Sequence, residues 1–529
     1  MPTACVHPRP PDTLVRYRFR QRLRICTPLI ALLLGGLHLH MAPISLAAEA
    51  ASTMIADPSQ LVQELNNLEE DIRQRSKAMT LDQAVAQGIR GNPQLQQAFA
   101  AIQQYEWQLV AVQRQWYPTL QLTNGTPFAG AQWQSFSQNY SFTSPTAPPT
   151  YSNNSQLLIF QPGVSASWNF LDPTRKPNIN AAVESLRQQK LLFDVSARNL
   201  ILDIQQSYYS LQASRQLIDS FRRIYAINQQ QLTMLEAQRS IGITTVLDVQ
   251  ATRSQLFAQL NQLVGYVRSY IEQSASLASA MALPADALVI PSEPATLRGN
   301  WNLSLEQTIS NARRQREEIL ASLAAAESAR WNSVAAIRSY LPVIGLVANG
   351  SLVTNQGPQN TQNGGINTNV DTTLTNGTAS IGLGFSWMLF DGGIQAANAE
   401  AAKTQAIQQS AQAANTELQV IQQVRTSIGQ LRTSKVAFAS AQQAYQSAEL
   451  GQQAARARFA VGVGDITSVV QTIQQLSQAA EQLANATFSY NSALAQLYRY
   501  SATWPDQTQM EVKNRLQQLR KDPAQSHQP

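Results

Sequence analysis

Two stretches of the chain alternate apolar and polar residues in the same way. Val164, Ala166, Trp168 and Phe170 are separated by Ser165, Ser167 and Asn169. Leu383, Phe385, Trp387 and Leu389 repeat the alternation, with Gly382, Gly384, Ser386 and Met388 on the opposite face. Period two with one apolar face predicts β-strands. Leu120 and Leu122, matched by Ile344 and Leu346, predict the strands that pair with them. The intervening segments, TSPTAPPTYSNNSQ (143–156) and NQGPQNTQNGGINTN (355–369), are rich in Gly, Pro, Asn, Ser and Thr. They read as long exposed loops.

The pattern then changes period. Asp172 and Asp391 end the hexads SWNFLD and SWMLFD, and each is a candidate helix cap. Helices of about 68 residues are predicted from there to Gly242 and Gly462. At about 1.5 Å per residue each spans roughly 100 Å, too long for a compact core. After each glycine the chain returns with a 3,4 spacing of apolar residues. Ile466, Val469, Ile473, Leu476, Ala480, Leu483, Thr487, Tyr490, Leu494 and Leu497 form one seam. Val246, Val249, Leu256, Leu260, Leu263, Val267, Tyr270 and Leu277 form the other, with Arg253 and Ser274 as exceptions. This is coiled-coil spacing. Two shorter helices precede the strands, Leu81–Gln115 and Leu305–Ser339, with a kink expected only at Asn92–Pro93. Tyr117–Pro118 and Leu341–Pro342 end them. The first and returning helices together match the long helix in length, so a stacked pair is expected beside each long one.

These elements occur twice in one order. TLDQAVAQGIRGNPQL (80–95) parallels SLEQTISNARRQREEI (304–319), the hexads align, and RSIGITTVLDVQ (239–250) parallels FAVGVGDITSVV (459–470). The expected organisation is a signal peptide over 1–48 and an N-terminal tail over 49–79. A first repeat follows over 80–283, a linker over 284–303, a second repeat over 304–503 and a C-terminal tail over 504–529. Glu49–Met79 and Val512–Pro529 read as polar, poorly packed segments.

Composition changes the picture at the N-terminus. Arg16, Arg18, Arg20, Arg22 and Arg24 precede the apolar run Thr27–Leu39 and the small residues of SLAAEA. That is the three-part pattern of a secretory leader. The run is shorter than the roughly 20 residues an anchoring helix needs. The leader holds six of the 39 basic residues and one of the 33 acidic ones, leaving 33 against 32, so the high pI is no argument for nucleic acid. From Glu49 to Ser526 there is neither Cys nor His. No disulfide, thiolate or imidazole chemistry is available there, which disfavours an enzyme and suggests no cofactor.

Four strands cannot close a membrane barrel, which needs about eight. If they enter a membrane, several chains must share one barrel to remove the open edges. Three chains give twelve strands. Trp116, Tyr117 and Tyr340 stand where an interfacial aromatic belt would lie. The competing reading is a small soluble sheet capping a coiled-coil rod.

The duplicated helix–strand–strand–helix order, SWNFLD and SWMLFD before the long helices, and IGITTVLDVQATRSQL at the helical turn resemble the TolC family of outer-membrane efflux proteins. The resemblance covers roughly Leu81 to Thr503. It implies a mostly α fold with membrane β: a long α-helical barrel continuing from a twelve-stranded β-barrel shared by a homotrimer, with two internal structural repeats. It further implies an outer-membrane export duct whose tunnel docks a periplasmic adaptor and an inner-membrane pump or secretion ATPase. Trp168, Asp172, Trp387 and Asp391 would then mark strand-to-helix junctions at the lipid boundary. Ile241, Gly242, Ile243, Thr244 and Thr245, with Val461, Gly462, Val463, Gly464 and Asp465, would be the adaptor-facing tips. The family's gate matches in part. Asp248 fits a gate carboxylate, and Asp465 is a candidate substitute ring or a helix cap. Ser468 and Gln471 occupy the second copy's acid positions, Phe459 stands where a Tyr is expected, and Gly464 where an Arg is expected. Drug, metal and protein cargo remain undivided. The alternative function is a structural or adhesive coiled-coil protein of the envelope.

Overall fold

A computed structural model of the chain describes residues 58–138, 151–284, 286–363, 366–504 and 508–521. The chain divides after Asp57 into two units, and every described residue lies in the second. The expected leader lies outside the described residues.

Four antiparallel strands form the larger sheet: β2 (Thr119–Gln138), β3 (Tyr151–Leu171), β5 (Val343–Asn363) and β6 (Ile366–Ser386), in the order β2-β3-β5-β6. The β3–β5 pairing joins the two repeats, with Ala166 opposite Ala348. Two expectations need correction. Tyr151–Gln156, Asn355–Asn363 and Ile366–Asn369 are strand rather than loop, paired up to Asn363 opposite Ile366; residues 143–150 and 364–365 lie outside the described residues. Ladder bonds come from the backbone, so Asn- and Thr-rich segments extend once a partner strand is beside them. Conversely, β6 stops at Ser386, and Trp387–Phe390 are not strand. Ser386 pairs with Val343, the first residue after Pro342, so no β5 backbone lies beyond it.

The long helices are α4 (Arg175–Ser240) and α8 (Ile394–Ala460), and the returning helices are α5 (Val246–Ala280) and α9 (Ile466–Tyr500). The shorter helices are each split. The first is α2 (Leu81–Gly91) then α3 (Pro93–Arg114); the second is α6 (Leu305–Gln315) then α7 (Glu317–Arg338). Continuous helices were expected, with a kink at Asn92–Pro93 alone. Yet Arg316, with no proline near it, has φ −71° and ψ 124°, almost the φ −66° and ψ 125° of Asn92. Packing imposes the second break: Arg316 is buried, pairs with Glu318 at 3.1 Å and lies over the Tyr500 ring.

The expected stacking holds. α3 and α5 run beside α4, α7 and α9 run beside α8, and α7 and α9 also cover a second side of α4. The helical columns follow the order α3/α5, α4, α7/α9, α8. The seam residues Val249, Leu256, Leu260, Leu263, Val267 and Leu277 are buried, as are Val469, Ile473, Leu476 and Leu497. Val246 is exposed.

The described parts of both tails, 58–79 and 508–521, are packed, contrary to expectation. α1 (Pro58–Arg75) leads into β1 (Ser76–Met79), which pairs in parallel with β4 (Leu288–Pro291) inside the presumed linker. Met79 is buried, and its carbonyl accepts from the Tyr208 hydroxyl and the Ser292 amide, both at 3.0 Å. Ser274, the exception in the first seam, bonds both backbone groups of Val289. α10 (Thr508–Lys521) buries Val512 in the same core. β1, β4 and α10 thus pack on one shared core around Met79, Val289 and Val512.

Candidate pore wall and tunnel tips

Strand register fixes which side chains share a face. Leu120 lies opposite Ala166, Ala166 opposite Ala348, and Ala348 opposite Ile381. One step away, Trp168, Leu346 and Leu383 form a second row, and Ile344 faces Phe385. These rows make one apolar face, and Leu122, Ile381 and Leu383 are each at least 74% exposed. The band climbs along β2 and β3 to Trp133, Leu158 and Phe160, and on β6 it lies near Ile381, Leu383 and Phe385. That skew fits strands inclined to a bilayer normal. The opposite face carries mainly hydroxyls, amides and glycine, among them Gln121, Ser165, Ser167, Asn349, Thr378, Ser380 and Gly382, with Val347, Val370 and Leu374 interspersed. Hydroxyls there bond across strands, Thr119 to Ser167 at 2.8 Å and Ser351 to Thr378 at 2.7 Å.

The repeated hexad has a shared structural task. The Trp168 indole N–H donates to the Trp116 carbonyl at 2.9 Å, and that of Trp387 donates to the Tyr340 carbonyl at the same distance. Each tryptophan thereby ties the strand leaving the sheet to the turn entering it. The aspartates set the helices that follow. Asp391 accepts from the Gly393 amide at 2.9 Å and the Gln395 amide at 2.7 Å, in the first turn of α8. Asp172 accepts from the amide and hydroxyl of Thr174, at 2.9 and 2.7 Å. In the first repeat Arg175 adds a stack on the Trp116 ring at 4.3 Å and a bond to the Asn169 carbonyl.

At the other end, both long helices finish in the same glycine motif. Gly242 has φ +80°, with the Ile243 amide on the Gln238 carbonyl at 3.0 Å; Gly462 has φ +77°, with the Val463 amide on the Arg458 carbonyl at 3.0 Å. A left-handed residue after the last turn ends each helix. Ile241, Ile243, Val461 and Val463 are each at least 70% exposed. Thr245 and Asp248 form a capping box on α5. The Asp248 carboxylate accepts from the Thr245 hydroxyl at 2.6 Å, the Thr245 amide at 3.1 Å and the Thr244 hydroxyl at 3.2 Å. The Thr245 bonds hold its carboxyl below the ordinary value. Asp465 caps α9, accepting from the Ser468 amide at 2.7 Å. Phe459 packs against the tip core, and Gln471 is exposed. At Gly464 an added Cβ would meet the Phe459 amide and two Arg458 atoms at 3.2–3.3 Å, so this turn is built for glycine.

Residues 85–283 and 308–503 match the outer membrane efflux protein family. The chain belongs to that family. No curated protein matches. Among solved structures, the outer-membrane channel OprN is 15% identical, with a TM-score of 0.62 over 80% of this chain and 90% of its own. The CmeC outer membrane channel of Campylobacter jejuni is also 15% identical, with a TM-score of 0.63 over 82% of this chain and 89% of its own. The VceC outer membrane protein of Vibrio cholerae is 16% identical, with a TM-score of 0.60 over 80% of this chain and 96% of its own. At these identities the likeness is one of fold, and it is the expected TolC-like fold. The efflux protein is an outer-membrane protein. Among the described residues no helix is long and apolar enough to cross a membrane, and no acidic cluster is placed to hold a metal ion.

Two further groups of this efflux protein were missed in the sequence. The hairpins α4/α5 and α8/α9 share one hydrophobic core around Leu235, Val249, Val469 and Ile473. Polar bridges join them: Arg456 to Gln230 at 2.8 Å, Gln474 to Gln255 at 3.0 Å, and Tyr266 to Glu481 at 2.5 Å. At the second helix break, Arg198 pairs with Glu317 at 2.8 Å and donates to the Ala502 and Thr503 carbonyls at 3.0 and 3.2 Å. Its guanidinium also lies 4.0 Å from the Trp504 ring centre. Beside it, burial pushes the Glu318 carboxyl up, but Arg499 and Arg316 outweigh burial and hold it at about 2. Both groups join residues far apart in the chain, so only the order of columns reveals them.

Proposed function

We propose that three copies of this efflux protein close one pore, which serves as the exit duct of a tripartite efflux or secretion system. The carrying observation is the unequal cover of two equivalent helices. α4 buries 27 of its 66 residues, whereas α8 buries 9 of 67. α4 has columns on both sides, and α8 has one. The uncovered part of α8 exposes Ile407, Leu418, Val436 and Leu450. At about 100° per residue these fall within roughly 40° of one another, forming an apolar stripe. A neighbouring copy's α3/α5 column would give α8 the same surroundings as α4. The free edges of β2 and β6 would pair in the same assembly, removing the exposed edges a bilayer does not tolerate. The test is direct. Detergent-extracted protein is expected to run as an SDS-sensitive trimer and to give conductance steps in planar bilayers. A non-conducting monomer would remove the reading in favour of an envelope coiled-coil protein.

The tips are the adaptor-facing surface in this reading, since isoleucines and valines at Ile241, Ile243, Val461 and Val463 stand exposed on two turns of the same shape. Photo-crosslinkers at positions 243 and 463 are expected to capture a periplasmic adaptor, which would connect the duct to an inner-membrane pump or secretion ATPase. For the gate, the bridges between the two hairpins restrain the tunnel end, and Asp248 and Asp465 serve first as caps. Substituting Asp465 by Asn keeps a capping oxygen and removes the charge; substitution by Ala removes both. Unchanged conductance and cation block in Asp465→Asn, with altered opening in Asp465→Ala, is the expected pair. Altered block in Asp465→Asn would restore the acid ring.

A further inference from the structure

The wall of the membrane section has an electrostatic character that its sequence alone does not locate. From Gln115 to Leu171 the chain has no Asp, Glu, Lys, Arg or His, and from Ser339 to Phe390 it has Asp371 alone. Register decides where that single charge lies. Asp371 pairs with Pro358, and β5 and β6 keep one register from Val343/Ser386 to Asn363/Ile366. Odd positions of β6 therefore share one face, and Asp371 lies with Ile381, Leu383 and Phe385 on the apolar side. The opposite face of the sheet is uncharged throughout its described length. Of the ionised groups at the helix ends below it, Arg114, Lys176 and Arg338 are exposed, and the others are engaged. Asp172 and Asp391 accept backbone amides, and Arg175 is buried against Trp116.

We infer that the bilayer section of the pore exerts no selection on the sign of its cargo's charge. It presents hydroxyls, amides and glycine, with Val347, Val370 and Leu374 among them, and none of these favours either sign. Cationic, anionic and zwitterionic amphiphiles would pass it alike, and any electrostatic choice of cargo is made in the helical section. This rests on the duct reading above, and it adds a property that a duct need not have, because a ring of carboxylates or arginines would also leave it open.

The test uses local reaction rates. Residues 27–529 contain no cysteine, so Ser380→Cys and Ser165→Cys place single thiols on the inferred inner face. Each is reconstituted and modified with a cationic and an anionic methanethiosulfonate of similar size, the unsubstituted protein giving the background. At about 100 mM salt the screening length is roughly 10 Å, so each thiol reports the wall around it rather than the charges at the helix ends. The expected cation-to-anion rate ratio, divided by that of a free small thiol, lies within about threefold of one at both positions. A tenfold skew, or no reaction with either reagent, overturns the inference. A second measurement needs no change to the wall. Asp371→Asn is expected to leave the reversal potential in a salt gradient unchanged, and a shift would place that carboxylate in the lumen. Trimer formation and conductance are measured on the same preparations. A conducting trimer with skewed rates defeats only the uncharged wall; absence of trimer and conductance defeats the duct itself.

Discussion

The pair Arg198–Glu317 offers the sharpest test of how the stacked helices are held. Their side chains are 4% and 10% exposed and their N–O distance is 2.8 Å. Substituting Glu317 by Gln preserves shape and removes one charge, leaving the Arg198 guanidinium buried beside the Ala502 and Thr503 carbonyls. Breaking one partner of a buried pair costs about 3–5 kcal/mol. The second oxygen of Glu317 is buried with no hydrogen-bond partner, so the pair is one-sided and the lower end, about 3 kcal/mol, applies. At about 1.4 kcal/mol per tenfold, that is roughly a hundredfold rise in local opening. The assay is amide hydrogen exchange of the peptide spanning Ala495–Trp504, the end of α9 that Arg198 ties down. Opening there is sub-global, so exchange reports it without unfolding the whole chain. Arg198→Met combined with Glu317→Gln is expected to exchange more slowly than the two single effects added together, by about tenfold or more. Exchange within threefold of the parent in Glu317→Gln would show that the pair does not hold the joint.

Other expectations concern protonation and the junctions. Burial, then the charge of Glu317, pushes the Asp194 carboxyl from 3.8 to about 6. The folded state therefore binds this proton more tightly than the unfolded chain, and the group lowers stability as pH rises from about 4 to 6. Asp194→Asn should be more stable than the parent by about 3 kcal/mol at pH 7, with the difference fading near pH 4; thermal unfolding at both pH values checks this, and a less stable variant at pH 7 refutes it. Trp168→Phe and Trp387→Phe each remove one indole-to-carbonyl bond, worth about 1 kcal/mol. Each should lower the temperature at which the assembly dissociates in detergent, and the double substitution should lower it further; no change in either would mean the hexad tryptophans serve only as interfacial aromatics.

Much of this architecture was legible because its signals are local. Gly242 and Gly462 end the long helices through a backbone angle that few other residues adopt. Trp168 and Leu383 alternate because a strand has period two. The seam of Val249, Leu256 and Leu263 repeats because a helix packed on a neighbour must bury one stripe. What escaped depends on partners distant in the chain. Asn355–Asn363 carries no strand signal of its own and extends because β3 and β6 lie on either side. Arg316 breaks a helix where no proline marks it. Leu65, Ile72, Met79 and Val512 lie in segments rich in charged and polar residues, and the apposition of β1, β4 and α10 to the helices explains their burial. The cap at Asp248 is present in the sequence as Thr-x-x-Asp, a weaker form of the usual Thr-x-x-Glu signature, at a position that also fits a gate carboxylate.

The two helix joints show what the duplication has kept. Ala282 and Ala502 are the only non-glycine residues at positive φ among the described residues, at 53° and 62°, and each follows the end of a returning helix. A positive φ in a non-glycine residue costs about 1–2 kcal/mol, so its retention in both copies points to the same backbone reversal being required twice. The chemistry closing the reversal differs. In the first repeat the Asn92 amide donates to the Ala280 carbonyl at 2.8 Å, and small residues permit close approach. A Cβ on Gly88 would lie 2.2 Å from Ile204, and one on Gly91 would lie 3.0 Å from the Met281 carbonyl. In the second repeat Arg198 reaches across from α4 to the Ala502 and Thr503 carbonyls, with Glu317 neutralising it. Free carbonyls at a helix end need donors, and a neutral amide or a paired guanidinium meets that need equally. The first joint therefore holds without charge, whereas the second depends on the Glu317 and Glu318 carboxylates paired with Arg198, Arg316 and Arg499. Below about pH 4, where the contribution of ionised Glu318 is lost, acid should loosen the column of α7 and α9 before that of α3 and α5, although the two share one backbone plan.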